Sequence, residues 1–265
     1  MKKILVIGKR GFIGSNLSSY LKKFYLVTHK SFKNLNEYKS KIDNFDYVIN
    51  TSITKRYIEE RYNQKFDNDL KISKFINNKA IYIFLSTRKV YKSKSNIKEN
   101  SKLLPKSNYA KNKLITEKKL LKKFNNKVII LRVSNVIGDK NKIKKIHNTF
   151  IDVFFQNIKK GFILDNKKDY KDFISIEKFC EIVKKIIKKD LRGIFNVSIG
   201  RKVYLNEIIN WLNKFNNQKL IIKSRNTQND CFFLNNKKLM SKIKINNSLL
   251  ELKKYFLKIS KKRFS

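Results

Sequence analysis

The sequence predicts an α/β protein with a doubly wound parallel sheet and a smaller mixed α/β lobe at its carboxyl end. In the first half of the 265-residue chain, short apolar runs of β type alternate with amphipathic helical patterns. A turn with three glycines follows the first of these runs directly. Apolar strands that alternate with helices are typical of a parallel sheet with helices on both faces. The glycine turn between the first strand and the first helix indicates the Rossmann type of such a sheet.

The predicted elements follow one another in the βαβ order that such a sheet requires. Apolar runs predict strands at residues 4–7, 25–27, 47–49, 81–85 and 128–131. Helical patterns cover residues 12–23, 56–77 and 108–124. Farther along, short strands at 162–164, 194–197 and 220–222 are mixed with helices at 176–189 and 205–214. We therefore expect a Rossmann-type NAD(P)-binding domain and a lobe that closes over its ligand crevice, with the bounds 1–140 (plus returning segments near 170–200) for the domain and 141–265, mainly, for the lobe.

Composition limits the classes of protein to which the chain can belong. Taken alone, the net charge of +43 suggests a nucleic-acid or anionic-membrane partner, but the basic residues are mostly lysines spread over every segment. Because arginines and aromatic residues do not cluster on one element, biased composition explains the charge better than a nucleic-acid partner. Two cysteines and two histidines predict neither a disulfide framework nor a metal site, which favours the cytoplasm. No apolar run reaches the ~18 residues that a membrane span needs.

The turn at residues 8–14 has the spacing of a dinucleotide-binding motif. Gly8 permits a tight turn out of the first strand, Gly11 lets the backbone approach a pyrophosphate, and Gly14 lets the helix pack close to the sheet. The amino end of that helix offers free N–H groups to phosphate. The alternative is a plain strand–turn–helix. The predicted cofactor-binding residues of the turn are Gly8, Arg10, Gly11, Phe12, Ile13 and Gly14.

The end of the second strand bears on which dinucleotide is bound. An acidic residue there would hold a ribose 2′-hydroxyl, but the chain has His29 and Lys30 at this place. A basic pair tolerates a 2′-phosphate, so the sequence gives NADP a slight preference over NAD. The alternative is that Lys30 is one more surface lysine.

Tyr109 and Lys113 form a pair with the spacing of one helical turn. A tyrosine phenol alone is a poor base at neutral pH. A lysine ammonium on the same face of the helix favours the phenolate. The pair therefore predicts a proton-transfer residue and its supporting cation beside the dinucleotide.

These residues make the chain resemble the extended short-chain dehydrogenase/reductases of the NAD-dependent epimerase/dehydratase type, which act on nucleotide sugars. The likeness runs from Lys2 to about Tyr255. Its landmarks, in the family's order, are residues 8–14, Asp46–Asn50, Leu85–Tyr91, Tyr109 with Lys113, Leu131–Gly138, Asp172–Ile174 and Phe195–Gly200. The segment after the third strand departs from the family's usual His-x-Ala-Ala and has Thr51 and Ser52 there, which are predicted to line the cofactor site.

The resemblance implies a catalytic role for three residues. Tyr109 would exchange a proton with a sugar hydroxyl or carbonyl, and Lys113 would bind the nicotinamide ribose. Thr87 occupies the family's Ser/Thr position and would hydrogen-bond the reacting oxygen, with Ser86 as the neighbouring alternative. A hydroxyl that only caps the end of a strand is the other interpretation of Thr87.

The resemblance also implies contacts with the diphosphate of a nucleotide sugar. Asn135 matches a position that contacts this diphosphate, although a turn residue is the alternative. Lys171 replaces the family's usual arginine, which keeps the charge but loses the bidentate fork. Arg201 is a further diphosphate residue. Family members commonly form homodimers through the helix that carries the tyrosine and the helix before it, so we expect a homodimer.

Departures from the family pattern narrow the predicted reaction. The dehydratases carry Asp-Glu directly after the threonine, whereas this chain has Arg88 and Lys89, which cannot act as that acid/base pair. Two reactions of the family remain possible for this chain: reduction of a 4-keto sugar, and 4-epimerisation through a transient ketone.

The rival hypothesis is a non-catalytic relative that binds RNA or a protein partner. Outside the site, Cys180, Trp211 and the tail helix around Tyr255 are assigned to packing.

Overall fold

The computed structural model describes residues 1–77, 79–138, 150–157, 160–164, 169–223 and 231–264. The strands are β1 Lys3–Ile7, β2 Leu26–Lys30, β3 Tyr47–Asn50, β4 Ile81–Thr87, β5 Val128–Val133, β6 Asn135–Ile137, β7 Phe162–Leu164, β8 Tyr170–Lys171, β9 Phe173–Ser175, β10 Gly193–Val197, β11 Val203–Tyr204 and β12 Ile221–Lys223. The α-helices are α1 Phe12–Leu21, α2 Leu35–Tyr38, α3 Lys55–Glu59, α4 Asn68–Ser73, α5 Asn108–Phe124, α6 Phe150–Asn157, α7 Ile176–Lys188, α8 Leu205–Leu212, α9 Lys237–Ile243 and α10 Leu249–Phe264.

A parallel sheet in the order β2-β1-β3-β4-β5-β10 forms the centre of the molecule. The register aligns Ile7, the last residue of β1, with Lys30 on one side and with Asn50 on the other. The direction of winding therefore reverses between β1 and β3. Doubly wound sheets open their ligand crevice at this switch point, outside the carboxyl ends of the strands. The predicted fold class is confirmed.

Two apolar clusters cover the two faces of the sheet. One contains Ile4 and Val6 of β1 together with residues of α1, α7 and α9. The other contains Leu5 and Ile7 together with residues of α4 and α5. Successive side chains of a strand point to opposite faces, so the uninterrupted apolar run of β1 serves both clusters. This packing fixes α1 and α5 at the switch-point end of the sheet.

A third apolar cluster, in which α8 packs against α10, contains most of its residues in the part of the chain that was predicted to form the lobe. Trp211 contacts the fully buried ring of Phe256 at a centroid distance of 5.8 Å. The predictions that Trp211 and the tail helix serve packing are therefore confirmed. Leu239 and Ile243 of α9 instead join the sheet's cluster. The residues after 141 thus contribute both to this third cluster and to the cluster of the sheet that contains Ile4 and Val6.

The predicted helix over 56–77 is wrong as a single element. The structure has α3, a short 3-10 turn at Gln64–Phe66 and α4 in its place. Side chains that cap helix starts divide the segment: Thr54 accepts from the Tyr57 N–H at 3.1 Å, and Asp67 accepts from the Leu70 N–H at 3.0 Å. These local bonds compete with a continuous helix.

The second strand lies farther along the chain than predicted. The prediction was 25–27, whereas β2 runs over Leu26–Lys30. His29 and Lys30 are therefore the last residues of this strand and do not follow it. The correction brings both side chains to the carboxyl edge of the sheet, next to the switch point.

The buried position of Cys180 agrees with its predicted packing role. Cys180 is a core residue of α7, and burial raises the pKa of its thiol to about 12. Within the described residues, no three His, Cys, Asp or Glu side chains are grouped as a metal site. Among the described helices, none combines the length and the apolar character that would be needed to cross a bilayer.

Candidate functional site

The turn after β1 is built around glycines that tolerate no side chain. Gly8 has a φ of +121°, and its N–H donates to the Lys30 carbonyl at 2.9 Å. A Cβ on Gly8 would lie 2.2 Å from Thr51 Oγ1, and one on Gly14 would lie 2.4 Å from the same atom. The close approach predicted for Gly14 is therefore observed, between α1 and the ends of β1 and β3.

Gly11 differs from Gly8 and Gly14 because a side chain there would make only ordinary contacts. A Cβ there would lie 3.4 Å from the Gly8 carbonyl, an ordinary contact. As the N-cap of α1, Gly11 has no side chain with which to cap the first N–H groups of the helix. Phe12 and Ile13 pack their side chains against the core, and Arg10 is exposed. The turn thus combines a helix amino end with room for a phosphate.

Thr51 and Ser52 lie across the switch point from the glycine turn. Thr51 Oγ1 donates to the Ile7 carbonyl at 2.8 Å, which ties the end of β3 to the end of β1. Ser52 bonds to the Asn50 side chain through its N–H at 2.9 Å and its hydroxyl at 2.6 Å. Both residues are partly exposed at the crevice. Both residues thus lie at the switch point, where the cofactor site is predicted.

His29 and Lys30 end β2 on the other side of β1. Both are partly exposed, and Lys30 pairs with Ile7 in the register. Burial lowers the pKa of the His29 imidazole below its usual range. The ring is therefore mostly neutral at pH 7, and Lys30 supplies the positive charge at this edge.

The Tyr109/Lys113 pair lies at the start of α5, the predicted helix 108–124. Ser107 caps the helix by accepting from the Ala110 N–H at 3.3 Å. The helix packs against the end of β4 and the turn at 88–90. Tyr109 is half-buried, while Lys113 is only 6% exposed. The pair is thus placed beside the end of β4, where Thr87 lies.

Lys113 has an environment that sequence reasoning missed. Its Nζ lies 4.4 Å from the centre of the Phe84 ring and 3.8 Å from Asp69 Oδ2. Within the described residues, Lys113 Nζ makes no direct hydrogen bond, so its N–H groups remain available to a ligand hydroxyl. The signal in the sequence was Asp67-x-Asp69, which the incorrect helix over 56–77 concealed.

Asp69 is a buried carboxylate that is held on both of its oxygens. Oδ1 accepts from Asn50 Nδ2 at 2.9 Å and from the Tyr82 hydroxyl at 2.8 Å, while Oδ2 faces Lys113. Burial raises the pKa of Asp69 to about 6, although the Lys113 ammonium acts in the opposite direction. The same burial raises the pKa of the Tyr82 phenol well above its usual range, so Tyr82 stays a donor.

Thr87 and Ser86 end β4 with different partners. The Ser86 hydroxyl donates to the buried carboxylate of Glu117 on α5. Thr87 Oγ1 accepts from the Lys89 N–H at 3.3 Å, which is the capping contact expected at the end of a strand. Its own proton has no acceptor in the part of the chain that the structure describes. Thr87 therefore combines the capping contact with a hydroxyl that can still donate.

A buried polar network supports these strand ends. Arg132 on β5 binds Glu117 through Nη2 at 2.7 Å, and its Nη1 donates to the Tyr91 hydroxyl at 2.9 Å. Tyr91 in turn donates to Asn196 Oδ1 on β10 at 2.9 Å. Glu117 and Arg132 are 1% and 3% exposed. The network fixes α5, β5 and β10 to the segment that follows Thr87.

The three predicted diphosphate residues lie on or next to two small two-stranded sheets, β6-β9 and β8-β11. Asn135 belongs to β6, not to a turn, and its Nδ2 donates to the Asp172 carbonyl at 3.1 Å. Lys171 is partly exposed on β8 and pairs with Val203 of β11, while Arg201 is exposed in the connection just before β11. Lys171 and Arg201 are therefore near each other in the fold, with Asn135 joined to them through Asp172.

Arg88 is buried rather than solvated, although it carries a full charge. Its guanidinium lies 3.7 Å from the centre of the Phe232 ring, and Nη1 donates to Ser93 Oγ at 3.3 Å. This stacked cation joins the end of β4 to the segment around 232. It stands where a dehydratase would need a carboxyl group.

The fold and the site together define a class of protein. A doubly wound sheet with a glycine turn at its switch point and a Tyr/Lys pair on the helix after β4 is that of the short-chain dehydrogenase/reductases. The model of the NAD-dependent epimerase/dehydratase family matches residues 4–198, and the chain belongs to this family. No curated protein sequence matches the chain significantly.

Solved structures with the same fold cover nearly the whole chain. UDP-N-acetylglucosamine 4-epimerase from Methanobrevibacter ruminantium, in complex with UDP-N-acetylmuramic acid, is 20% identical with a TM-score of 0.78, over 98% of this chain and 97% of that one. RMD from Pseudomonas aeruginosa, complexed with NADPH, is 14% identical with a TM-score of 0.79, over 99% and 100%. WbmH from Bordetella bronchiseptica, in complex with NAD⁺, is 17% identical with a TM-score of 0.78, over 100% of both chains. At these identities the likeness shows the fold.

Proposed function

We propose that the protein is an NAD(P)-dependent enzyme that reduces a 4-keto nucleotide sugar or epimerises a nucleotide sugar at carbon four. The observation that carries the proposal is the nearly buried Lys113 ammonium, placed one helical turn after Tyr109 and without a direct hydrogen bond within the described residues. A cation held in this way suits a ligand hydroxyl beside a proton-transfer residue. Membership of the family and structural neighbours named as nucleotide-sugar enzymes support it.

The glycine turn fits a dinucleotide. The backbone of Gly8 and Gly11 and the first turn of α1 would bind the pyrophosphate, since Gly11 caps this helix without a side chain of its own. Thr51 and Ser52 would line the same crevice. When bound, the cofactor supplies the exchange of hydride with the sugar.

The protein's own residues would handle the proton and the oxygen at the reacting carbon. Tyr109 would give its phenolic proton to a ketone oxygen as it is reduced, or take a proton from a hydroxyl as it is oxidised. Lys113 would hold the nicotinamide ribose and favour the phenolate through its charge. The Thr87 hydroxyl would donate a hydrogen bond to the same oxygen.

The choice of substrate would be made at the lobe. Asn135, Lys171 and Arg201 would bind the diphosphate, with Lys171 as a single point charge. Arg88 and Lys89 provide no carboxyl acid or base after Thr87, which favours reduction or epimerisation over dehydration. Lys30 gives NADP a slight preference over NAD. A homodimer and a cytoplasmic location stay predictions.

The experiment is a turnover assay with UDP-, GDP- and dTDP-sugars and their 4-keto forms, with NADPH and NADH. Wild-type protein should turn over one of them, and Tyr109→Phe should reduce kcat by roughly 10²-fold or more while cofactor still binds. Tyr38→Phe is the matched control, because this phenol only donates to the Ser31 carbonyl. Unchanged turnover in Tyr109→Phe would refute its role. A salt-dependent RNA complex without turnover would favour the non-catalytic relative.

A further inference from the structure

The Lys113 side chain is buried although its proposed role requires a positive charge, and the sequence does not reveal this burial. It is only 6% exposed, and aromatic rings of Phe84 and Tyr57 face it at 4.4 and 5.6 Å. Burial disfavours the charged form of a lysine, and it lowers the pKa by several units when no counter-charge is near. The rings favour a cation, but by only about 0.5–2 kcal/mol each. The role proposed for Lys113 requires its charge, so a stronger source of stabilisation is needed.

Asp69 supplies a negative charge at the required place. Its Oδ2 lies 3.8 Å from Lys113 Nζ, whereas Oδ1 is held by Asn50 and Tyr82 at 2.9 and 2.8 Å. Because Asn50 ends β3 and Tyr82 belongs to β4, the carboxylate is fixed to two strands of the central sheet. Asn50 also binds Ser52, so this polar chain extends to the predicted cofactor crevice.

The other charged and titratable groups around Asp69 do not replace it. Asp67 is fully buried at the start of α4, but its carboxylate accepts from the Leu70 N–H at 3.0 Å and the Thr116 hydroxyl at 2.6 Å. Burial keeps the pKa values of the Tyr57 phenol on α3 and the Tyr82 phenol on β4 far above neutral, so both are uncharged. Within the described residues, Asp69 is thus the carboxylate that pairs with Lys113.

We propose that Asp69 is a positioning residue that keeps Lys113 charged inside the protein and thereby lets it support Tyr109 and the cofactor. The distance of 3.8 Å gives an ion pair without a direct hydrogen bond, so the N–H groups of Lys113 stay available to the ribose. The proposal rests on the function proposed above for Tyr109 and Lys113. It adds a third member to that pair, which acts through Lys113 without touching the reacting atoms.

The pair should be sensitive to acid. Burial raises the pKa of Asp69 to about 6, so protonation below that pH removes the counter-charge of Lys113. In Asp69→Asn, Oδ1 can still accept from Asn50 and Tyr82, but no negative charge faces Lys113. The substitution therefore removes the charge while preserving the hydrogen bonds that fix the side chain.

A spectroscopic test reports on Lys113 without requiring any turnover. In ¹⁵N-lysine spectra, a protected ammonium gives a signal that exposed, rapidly exchanging ones do not, and Lys113→Met identifies it by its loss. We expect this signal at pH 7 in the wild type. In Asp69→Asn, where no carboxylate faces the ammonium, we expect the signal to be lost at a lower pH than in the wild type and to return on acidification. An unchanged titration in Asp69→Asn would overturn the proposal.

A double-mutant cycle tests whether Asp69 acts through Lys113. Asp69→Asn should lower kcat by about 10-fold or more in the wild type, and by less than about 2-fold in Lys113→Met, because the residue it supports is already gone. Equal losses in the two backgrounds would mean that Asp69 is merely structural. If no substrate is turned over, the proposed function fails, but the lysine spectra still decide the role of Asp69.

Discussion

Among single residues, the glycines of the turn fall into two groups that a sequence motif cannot separate. Gly8 and Gly14 are required by the folded chain itself, since added Cβ atoms would lie 2.2 and 2.4 Å from Thr51 Oγ1. Gly11 has only ordinary contacts at 3.4 Å or more. The fold itself therefore does not require a glycine at this position, and under the proposed function the missing side chain would serve a bound phosphate.

We expect Gly11→Ala to separate cofactor binding from stability. The variant should unfold within about 0.5 kcal/mol of the wild type, because its φ of −83° suits alanine and the new methyl group has room. Its affinity for NADPH should fall by at least about 10-fold in a fluorescence titration. Gly14→Ala is the matched variant and should lose about 1–3 kcal/mol of stability to overpacking. Normal cofactor affinity in Gly11→Ala would contradict the placement of the pyrophosphate.

Asp172 gives a prediction about pH. This carboxyl is fully buried under the lobe, where Oδ2 accepts from the Leu234 N–H at 2.9 Å. Burial raises its pKa to about 7, above the ordinary unfolded value of about 3.9, so the folded state holds the proton longer. The stability that this residue contributes is therefore present below about pH 4 and lost as pH rises towards 7. Asp172→Asn should gain stability relative to the wild type between pH 4 and 8 in urea unfolding. A difference that does not change with pH would contradict the assignment.

Among the elements, α5 carries most of the proposed chemistry. Tyr109, Lys113 and Glu117 recur at intervals of four residues, so they lie along one stripe of the helix. Lys113 lies beside Asp69, and Glu117 anchors the stripe to Arg132. The solvent-facing side of the helix carries only positive charge. Every exposed side chain of α5 is a lysine: Lys111, Lys118, Lys119, Lys122 and Lys123.

The Glu117–Arg132 pair should be among the strongest single contributions to stability. Glu117→Gln leaves the Arg132 guanidinium, 3% exposed, without its counter-charge. Breaking such a pair costs about 3–5 kcal/mol. The measurement is the free energy of unfolding in urea. Glu59→Gln removes an exposed i,i+4 pair with Lys55 and should change it by no more than about 0.5 kcal/mol. Equal effects of the two substitutions would contradict this account of the network.

The lysine stripe of α5 bears on the predicted homodimer. If two copies associate through this helix, like charges meet, and salt should strengthen the association by screening them. Sedimentation velocity should give a lower Kd at about 0.5 M than at about 0.05 M NaCl. The double variant Lys118→Glu with Lys122→Glu should remove most of this dependence. A dimer that weakens as salt rises would place the interface elsewhere.

The elements also show where sequence reasoning succeeds. The long, strongly periodic α5 was predicted with its observed bounds, and the strand interiors were predicted because both faces of the sheet need apolar residues. The helix over 56–77 was wrong because Thr54 and Asp67 cap local turns. With that segment misassigned, the contact between Asp69 and Lys113 could not be predicted. Glu117 and Arg132, fifteen residues apart, likewise meet only in the tertiary fold.

In the molecule as a whole, the segments that form the candidate site meet at the switch point of the sheet. The glycine turn after β1, the polar chain after β3 and the end of β4 reach one edge of the sheet, since parallel strands share the direction of their carboxyl ends. The lobe adds Asn135, Lys171 and Arg201 on one side. The charge of +43 surrounds this crevice with a positive field, which favours anionic ligands in general. Binding must therefore be measured at a salt concentration that screens the field.

The most direct test of the central claim is a titration with NADPH and NADH at about 0.3 M NaCl, followed by fluorescence and thermal unfolding. The account predicts saturable binding and a stabilisation of several degrees in the wild type, with a weaker effect in Lys113→Met and in Gly11→Ala. The dinucleotide that binds more tightly shows whether Lys30 favours NADP over NAD. No stabilisation by either dinucleotide would contradict the claim that this fold holds a nicotinamide site.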